Sequence, residues 1–576
     1  MITRLRVQNF KRFADADLEL GQAVVFIGPN NSGKTTALQA LALWDVGLRR
    51  WNEKRGGKTS PEKRPGVTIN RRDLIAIPVP DANLLWRNLH VRDVRTVDGK
   101  PQTQNIRIDI TVDGVTEGQT WSCGLEFDYA NEESFYCRPL RLSNDRQPVR
   151  MPVPPEAGAT RFAFLPPMSG LAATEPKWES GRINVLLGEG QTAQVLRNLC
   201  FQLYEQPEPK VAWKEIIRCI ESLFGASLQP PVFIKERGEI TMAYRDSEGG
   251  SLDLSCSGRG LQQTLLLLAH LHANPKTILL LDEPDAHLEV LRQRQIYQLL
   301  TEVASQQGSQ IIAASHSEVV LNEAANRDVV IAFVGSPHRI DDRGQQVIKA
   351  LTDIGFDQYY QAEIKGWVLY LEGSTDLAIL QAFASTLQHR AVSILERPFV
   401  HYVTTNLPSR AREHFFGILE AKPDLVGFAL FDNLDKALQS DTPLTEAMWE
   451  KREIENYLCK ESVLIQYARN DQPNDLFGQA EAERRERAMR ECIDEVSGAL
   501  RTLGKPGPWS AEVKASDDFL TPVFELFFQK LELPNLLRKT DYHILAGFVA
   551  KEDISDEVTA KLDGIASVAE KAHPKG

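Results

Sequence analysis

The stretch Gly28-Pro-Asn-Asn-Ser-Gly33-Lys34-Thr35 decides the fold of the first part of this 576-residue chain. It fits the pattern GxxxxGK[ST], it follows the apolar run Ala23–Ile27, and it leads into the helix-forming run Asn30–Leu43. This is the context that the pattern requires. Its glycines let backbone N–H groups surround phosphate oxygens at a helix N-terminus, while Lys34 can reach the β- and γ-phosphates and Thr35 can hold Mg²⁺. The sequence therefore predicts a phosphate-binding loop between a buried strand and a helix.

A second motif supplies acidic side chains to the same site. The apolar run Ile278–Leu281 is followed by Asp282 and Glu283, and we expect Asp282 to bind Mg²⁺ and Glu283 to polarise the attacking water. Another apolar run, Ile311–Ala314, precedes His316, whose imidazole we expect to reach the γ-phosphate. The alternative interpretations are an acidic pair that caps the next helix and a structural histidine.

The sequence around these motifs predicts further elements of a first domain that closes near Leu351. Ile2–Phe10 reads as an edge strand. Asn105–Val112 and Trp121–Tyr129 alternate apolar and polar residues, which indicates two half-buried antiparallel strands. Gln191–Phe224 has the spacing of helices and indicates an inserted helical unit.

Strands and helices alternate again after this domain, which favours a parallel sheet. The predicted strands are Val368–Leu371, Phe399–Val403 and Val426–Phe431. Glu372 and Asp432 each follow a strand, and side chains at the carboxyl ends of parallel strands meet in one crevice, so these two can share Mg²⁺. Asp376, in the first turn of the next helix, is either a further ligand or a partner of the helix dipole. From about Thr442 onward the pattern is mainly helical.

Composition excludes several classes of protein. The net charge is −12, from 66 basic and 78 acidic residues, which argues against a surface coated with basic side chains for DNA. The basic segment Arg49–Arg72 is either a solvated loop or an arm that contacts phosphates. The seven cysteines are never spaced as CxxC, so we expect ordinary buried thiols rather than disulfides or a zinc site. We expect a cytoplasmic protein without a signal peptide, and no apolar stretch approaches the roughly 20 residues of a membrane helix.

Five segments together resemble the ATP-binding-cassette heads of SMC, RecF and OLD-type ATPases, over roughly residues 1–350. They are Asn9–Lys11, Gly28–Thr35, Ser255–Gln263, Leu281–Leu288 and Ser315–His316. The resemblance implies an α/β P-loop ATPase head with a helical insertion, in which Ser257 and Gly258 grip ATP held by a second head. It therefore implies a homodimer or a higher even-numbered oligomer. The Q-loop glutamine is either Gln191 or Gln194. The expected nucleotide-binding residues are Asn30, Asn31, Gly33, Lys34, Thr35, Thr36, Ser257, Gly258 and Asp282, with Thr35 and Asp282 also as Mg²⁺ ligands.

Three later segments resemble a Toprim domain and OLD-like defence nucleases, over most of residues 365–460. They are Val368–Asp376, Gly427–Asp435 and Arg452–Leu458. The resemblance implies a Rossmann-like fold that holds Mg²⁺, or Mn²⁺, for phosphodiester chemistry. The sequence departs from the family's DxD pair, because Leu434 stands where the second acid is usual and Asp435 is one residue later. The expected metal ligands are Glu372, Asp376, Asp432, Asp435, Glu453 and Glu455.

Glu372 and Asp432 are also expected to be catalytic. Glu453 and Glu455 share a face in an extended segment but diverge in a helix, and capping or salt bridges are the alternative interpretation. Lys514 either neutralises a scissile phosphate or is simply exposed to solvent.

The resemblances define the expected domains and function. The domains are residues 1–165 and 236–352 for the two parts of the ATPase head, 166–235 for a helical insertion that could dimerise, 365–460 for the Toprim domain and 461–576 for a mainly helical extension. An ATPase head before a Toprim domain resembles the OLD family of ATPase-nucleases, many of which act in anti-phage defence, some with retron or small protein partners. It implies a metal-dependent DNA endonuclease gated by ATP.

Two other functions stay open at this point. The first is a DNA-repair or sensing ATPase of SMC or RecF type whose Toprim domain binds nucleic acid or a partner without cutting, for which the altered acidic pair is the support. The second is the ATPase subunit of a transporter, which has cassette motifs but no use for a Toprim half.

Overall fold

The chain forms two compact units in a computed structural model, Met1–Ile348 and Lys349–Gly576. The described residues are 1–55, 66–97, 100–143, 149–207, 210–246, 249–325, 327–340, 354–434, 438–439, 443–470 and 475–574. Asp435 and residues 56–65 of the basic segment lie outside them, so the structure does not test those two predictions.

Unit 1 contains nineteen described strands and eight described α-helices. The strands are β1 (Ile2–Phe10), β2 (Phe13–Glu19), β3 (Ala23–Ile27), β4 (Val67–Asn70), β5 (Arg92–Val97), β6 (Lys100–Asn105), β7 (Arg107–Thr116), β8 (Gln119–Asn131), β9 (Ser134–Pro139), β10 (Phe162–Leu165), β11 (Ser227–Leu228), β12 (Val232–Ile234), β13 (Glu239–Thr241), β14 (Ala243–Arg245), β15 (Ser251–Asp253), β16 (Ile278–Asp282), β17 (Gln310–Ser315), β18 (Val329–Ala332) and β19 (His338–Arg339). The helices are α1 (Lys34–Arg55), α2 (Pro155–Gly158), α3 (Ser180–Gly188), α4 (Leu196–Tyr204), α5 (Val211–Phe224), α6 (Arg259–Ala273), α7 (Val290–Gln306) and α8 (Glu318–Ala324).

Two six-stranded sheets build unit 1. One runs in the order β10-β16-β17-β3-β18-β19 and is parallel from β10 to β18, while β19 pairs antiparallel at its edge. Alternate side chains of β16 enter different cores: Leu280 packs with α1 and the other sheet, whereas Leu279 and Leu281 pack with α4 and α6. The parallel sheet is therefore covered on both faces, and its strand ends are left to form a site.

The second sheet is antiparallel and corrects one sequence prediction. Its order is β2-β1-β7-β8-β9-β4, so Ile2–Phe10 is an interior strand and not an edge. The prediction failed because β2 contains Ala14, Asp15, Ala16 and Asp17, residue types that are poor strand formers. The strands predicted at Asn105–Val112 and Trp121–Tyr129 do pair antiparallel, as β7 and β8.

Unit 2 is built on a four-stranded, fully parallel sheet in the order β21-β20-β22-β23. Its strands are β20 (Trp367–Leu371), β21 (Val400–Tyr402), β22 (Val426–Phe431) and β23 (Leu444–Met448). Its helices are α9 (Phe356–Lys365), α10 (Ser374–Leu387), α11 (Ala391–Leu395), α12 (Pro408–Ala421), α13 (Glu461–Arg469), α14 (Leu476–Thr502), α15 (Thr521–Lys530) and α16 (Asp556–Ala569), with a π-helical segment at Ala515–Leu520. Trp367, Leu369 and Leu371 face one core of this unit, and Val368 and Tyr370 face the other.

One further prediction needs correction, and one strand was missed. The chain after Thr442 is mainly helical, but it begins with the strand β23, whose polar residues hide its pattern; Glu446 there pairs with Arg412 at 2.6 Å. Not every cysteine is a buried thiol, because Cys256 is exposed and Cys219 is half-buried. Among the helices that the structure describes, none is both long and apolar enough to cross a membrane.

Candidate functional sites

The loop between β3 and α1 has the backbone conformation that its glycines allow. Gly28 and Gly33 have φ angles of +155° and +111°. A Cβ atom on Gly28 would lie 2.9 Å from the backbone oxygen of Phe333, and one on Gly33 would lie 3.2 Å from the ring of Phe13. Side chains at either position would therefore force the loop to shift. The 22-residue helix α1 begins directly after Gly33, so its N-terminus adjoins the loop.

Three side chains meet at this loop. The Lys34 ammonium donates hydrogen bonds to the carbonyls of Gly28 (2.6 Å) and Pro29 (2.8 Å). The Thr35 hydroxyl donates to a carboxylate oxygen of Asp282 at 3.1 Å. Burial raises the pKa of Asp282 to about 6 and lowers the pKa of Lys34. Thr35 and Asp282 are thus already paired where we predicted their shared Mg²⁺ site.

Glu283, Asp285 and His316 lie at the carboxyl ends of the neighbouring strands β16 and β17. The Glu283 carboxylate is 3.8 Å from Nδ1 of His316, and both side chains are partly exposed. Glu283 has a positive φ of 49°, and its N–H donates to the carbonyl of Ala314 at 2.8 Å. Asp285, which the sequence analysis did not single out, is buried and hydrogen-bonded to Ser315, and burial raises its pKa. The structure therefore brings the acid pair and the histidine together, with Asp285 behind them.

Ser257 and Gly258 lie at the N-terminus of α6. Gly258 is the N-cap residue, and the Ser257 hydroxyl donates to the carbonyl of Leu254 at 2.7 Å. Both line a cleft of about 500 Å³ that also contains Arg259 and Arg292. Asp246 and Glu289 line the same cleft, so its charge is mixed, and the N-terminus of the 15-residue helix is the feature that suits an anion.

The two Q-loop candidates remain unresolved. Gln194 donates a side-chain hydrogen bond to Gln191 at 3.0 Å, and Gln191 donates to Glu189 at 3.1 Å. These contacts place the two glutamines beside each other and favour neither.

Unit 2 gathers carboxylates at the carboxyl end of its parallel sheet. Glu372 follows β20 and is exposed, and Asp432 follows β22. Glu453 is an extended N-cap residue and Glu455 lies in the short 3₁₀ turn Ile454–Tyr457; both are buried. Asp376 accepts hydrogen bonds from the N–H groups of Glu372 (3.1 Å) and Gly373 (3.2 Å), so one of its oxygens holds the turn before α10.

Burial and mutual repulsion of these acids show in their pKa values. Burial, and then the charges of Glu372, Asp376, Glu455 and Glu453, raise the pKa of Asp432 to about 8. Burial, and then Glu453, raise the pKa of Glu455 to about 8, and burial raises that of Asp376 to about 6. Five carboxyl groups therefore act on one another electrostatically; the strand-end argument concerned only Glu372 and Asp432. Within the described part of the chain, which omits Asp435, no three such side chains enclose a metal-sized space.

A loop at residues 508–517, here called the rim loop, borders these acids. Five hydrogen bonds join it to the segment 452–459: Arg452 N–H to Ala511 O, Asn456 Nδ2 to Ser510 O and to Val513 O, Cys459 Sγ to Pro508 O, and Ser516 N–H to the Glu453 carboxylate. Asn433 also donates its backbone N–H to Arg452 O at 3.2 Å. The rim loop, the glutamate segment and the turn after Asp432 therefore form one connected structure.

Lys514 lies on the rim loop and is half-exposed. It pairs with Asp517 at 2.5 Å, and Lys539 pairs with the other oxygen of Asp517 at 2.9 Å. Asp517, Glu453 and Glu372 raise the pKa of Lys514, whereas the charge of Lys539 acts to lower the pKa of Glu455. Two cations thus stand beside the acids; the sequence analysis singled out only Lys514, because Lys539 has no motif around it.

Two family models match parts of unit 1. Residues 1–46 match a family model described as "AAA ATPase domain", and residues 229–322 match one described as "AAA domain, putative AbiEii toxin, Type IV TA system". Over 354 residues the chain is 25% identical to an OLD nuclease from Thermus scotoductus, covering 55% of this chain and 59% of that protein. This chain is similar to an OLD nuclease over about half of its length. It spans only 59% of that relative's length.

Solved structures of SMC heads also match. An SMC head domain from Thermotoga maritima is 16% identical, covers 59% of this chain and 98% of its own, and has a TM-score of 0.31. An Smc head from Pyrococcus furiosus, bound to the C-terminal domain of ScpA, is 14% identical, covers 61% and 99%, and has a TM-score of 0.33. The predicted α/β ATPase head is confirmed for unit 1, whereas the Toprim assignment of unit 2 stays a prediction.

Proposed function

We propose that this chain is an ATP-hydrolysing, metal-dependent DNA endonuclease, with ATP bound in unit 1 and DNA cut at the carboxylates of unit 2. The observation that carries the proposal is the group of five acids at the carboxyl end of the parallel sheet, two of which have pKa values raised to about 8. Acids crowded in this way need a compensating cation to be ionised together near neutral pH.

The donor chemistry suits a divalent cation, although within the described residues these side chains are not yet grouped around a metal site. Every candidate ligand is a carboxylate oxygen, the donor that Mg²⁺ and Mn²⁺ prefer. Glu372, Asp432, Glu453 and Glu455 would hold it, with Asp376 fixing the turn that carries Glu372. Bound there, the cation supplies the charge that activates water and stabilises the leaving oxygen. Lys514, half-exposed beside these acids, would bind the phosphate that is cut.

The ATPase residues have matching roles. Lys34 must exchange its two carbonyl partners for phosphate oxygens, because those carbonyls occupy its ammonium now. Glu283 lies close enough to His316 for the pair to orient a water molecule at the γ-phosphate. Ser257 and Gly258, on their own cleft, would contact ATP of a second copy, so we propose a homodimer that forms around nucleotide. A role in anti-phage defence and a retron or small protein partner stay predictions from the resemblance, and the cytoplasmic location stays a prediction from the sequence.

The proposal is tested by cleavage of supercoiled and linear DNA in Mg²⁺ and in Mn²⁺, with and without ATP. We expect Glu372→Ala to abolish cleavage while ATP hydrolysis continues, and Lys34→Ala to abolish ATP hydrolysis. Glu413→Ala, at an exposed acid of helix α12, is the matched control and should cut like the wild type. An unchanged cleavage rate in Glu372→Ala would reject the site. ATP hydrolysis without cleavage by any form would favour the non-cutting sensor.

A further inference from the structure

The rim loop presents a large aromatic side chain to solvent. Trp509 is 46% exposed, although tryptophan is among the most apolar side chains. Its ring stands edge-on against Phe519, with centroids 5.2 Å apart and planes at 75°. Phe519 itself is fully buried, so the indole packs against the core of the unit while part of its surface remains exposed to solvent.

The backbone around Trp509 is equally fixed. The carbonyl of Pro508, before it, accepts a hydrogen bond from the Cys459 thiol at 3.4 Å. The carbonyl of Ser510, after it, accepts one from Asn456 Nδ2 at 3.2 Å. Both partners belong to the segment that carries Glu453 and Glu455. The indole is therefore held at a fixed position relative to the carboxylates, and little conformational freedom would be lost when a planar ligand stacks on it.

Two exposed lysines, one on the rim loop and one paired with it, add positive charge to this region. The side chains of Lys514 and Lys539 are 49% and 44% exposed, and Asp517 holds one with each of its oxygens. A phosphate could take the place of Asp517 at either ammonium without moving the backbone. Trp509 and Lys514 lie on the same loop, and Lys539 is tied to that loop through Asp517. Exposed aromatic rings combined with positive charge are what proteins use for single-stranded nucleic acid, where bases stack and the backbone meets the cations.

We propose that the rim loop is a binding site for unpaired DNA, with a base stacked on Trp509 and the adjoining phosphates held by Lys514 and Lys539. The inference rests on the proposed function and narrows its substrate to DNA that is single-stranded, gapped or frayed at the cut. An intact duplex does not satisfy the site, because its bases are stacked on each other and offer no free face to the indole.

The test measures binding of a fluorescein-labelled single strand and of the matching blunt duplex by anisotropy, in the Glu372→Ala background so that no substrate is consumed. Stacking on an aromatic ring changes affinity by about 5- to 150-fold per base when the ring is removed, so Trp509→Ala should weaken single-strand binding by that factor and leave duplex binding unchanged. Trp509→Phe, which keeps a ring, should recover most of the loss. Phe477→Ala, at an 85% exposed ring of helix α14, is the control and should have no effect.

The lysines give an independent readout. Lys539→Gln should weaken single-strand binding and reduce the slope of log affinity against log salt by about one. Thermal unfolding of each variant shows whether it is folded.

The possible failures are distinguishable. If the wild type cuts DNA but Trp509→Ala binds the single strand as tightly as its parent, the inference is wrong and the proposed function stands. The same holds if Trp509→Ala weakens duplex and single-strand binding equally. If the wild type cuts neither the single strand nor the duplex, the proposed function fails and the inference with it.

Discussion

Replacing Asn456 by alanine should damage the candidate nuclease site without touching a carboxylate. The side chain is buried and makes three hydrogen bonds: Oδ1 accepts the Glu453 N–H at 3.0 Å, and Nδ2 donates to Ser510 O at 3.2 Å and to Val513 O at 3.0 Å. Each is worth about 1 kcal/mol net, and groups left unpaired in the interior cost more, so Asn456→Ala should lose about 2 to 4 kcal/mol of unfolding free energy.

The loss of activity should exceed what the stability change explains. Groups that orient metal ligands typically contribute 10- to 100-fold to activity, so we expect about that reduction in DNA cleavage at a temperature where the variant is folded. The assays are urea unfolding followed by circular dichroism, and plasmid cleavage. Thr386→Ala is the control, because its hydroxyl donates within helix α10 to Ala382 O at 3.0 Å; it should lose about 1 kcal/mol and keep full cleavage. If Asn456→Ala unfolds and cuts like the wild type, Asn456 does not hold the site together.

Three other predictions concern unit 1. Burial, and then Glu126, raise the pKa of Asp109 to about 6, above its ordinary 3.8. Protonated Asp109 therefore contributes its full stabilisation, about 3 kcal/mol, below pH 3.8, and this contribution is lost as pH rises through 6. Asp109→Asn should reduce the fall in unfolding free energy between pH 4 and 7.5, measured by urea unfolding. If the free energy falls with pH as steeply as in the wild type, Asp109 is not the group responsible. Glu126 is fully buried with four arginines within 3.4 Å, so Glu126→Gln should cost about 3 kcal/mol in the same assay, and a neutral result would show that the arginines find other partners. Gly28→Ala would place its Cβ 2.9 Å from Phe333 O and should reduce ATP affinity more than tenfold by calorimetry, whereas Gly181→Ala, with open space around it, should bind ATP normally.

The sequence predicted those parts of the sites that local patterns control. The loop at Gly28–Thr35 follows from residue types at fixed spacing, because the backbone itself surrounds the phosphate. The approach of Glu372 to Asp432 follows from a general property of parallel sheets, since strand ends converge wherever the intervening helices lie. Neither prediction needs knowledge of which distant segments touch.

The remaining parts depend on contacts between distant segments. The rim loop is joined to the glutamate segment by residues 49 to 63 positions apart, and its sequence carries no periodic pattern. Lys539 reaches Asp517 across 22 positions. The spacing of Glu453 and Glu455 left open whether they share a face. Glu453 is extended and Glu455 lies in a 3₁₀ turn, a change of conformation that spacing alone does not reveal.

The attachment of the rim loop also bears on how fast this part of unit 2 can open. Its five hydrogen bonds lie within one short stretch of chain, so a fluctuation that frees one end strains the others and opening becomes cooperative. The backbone amides of Arg452 and Ser516, both donors in this set, should therefore exchange their hydrogens with deuterated solvent slowly and at a common rate. A signal that switches cleavage on by reshaping the pocket would have to release the whole set at once, whereas one that changes only the path of the DNA would leave these exchange rates untouched.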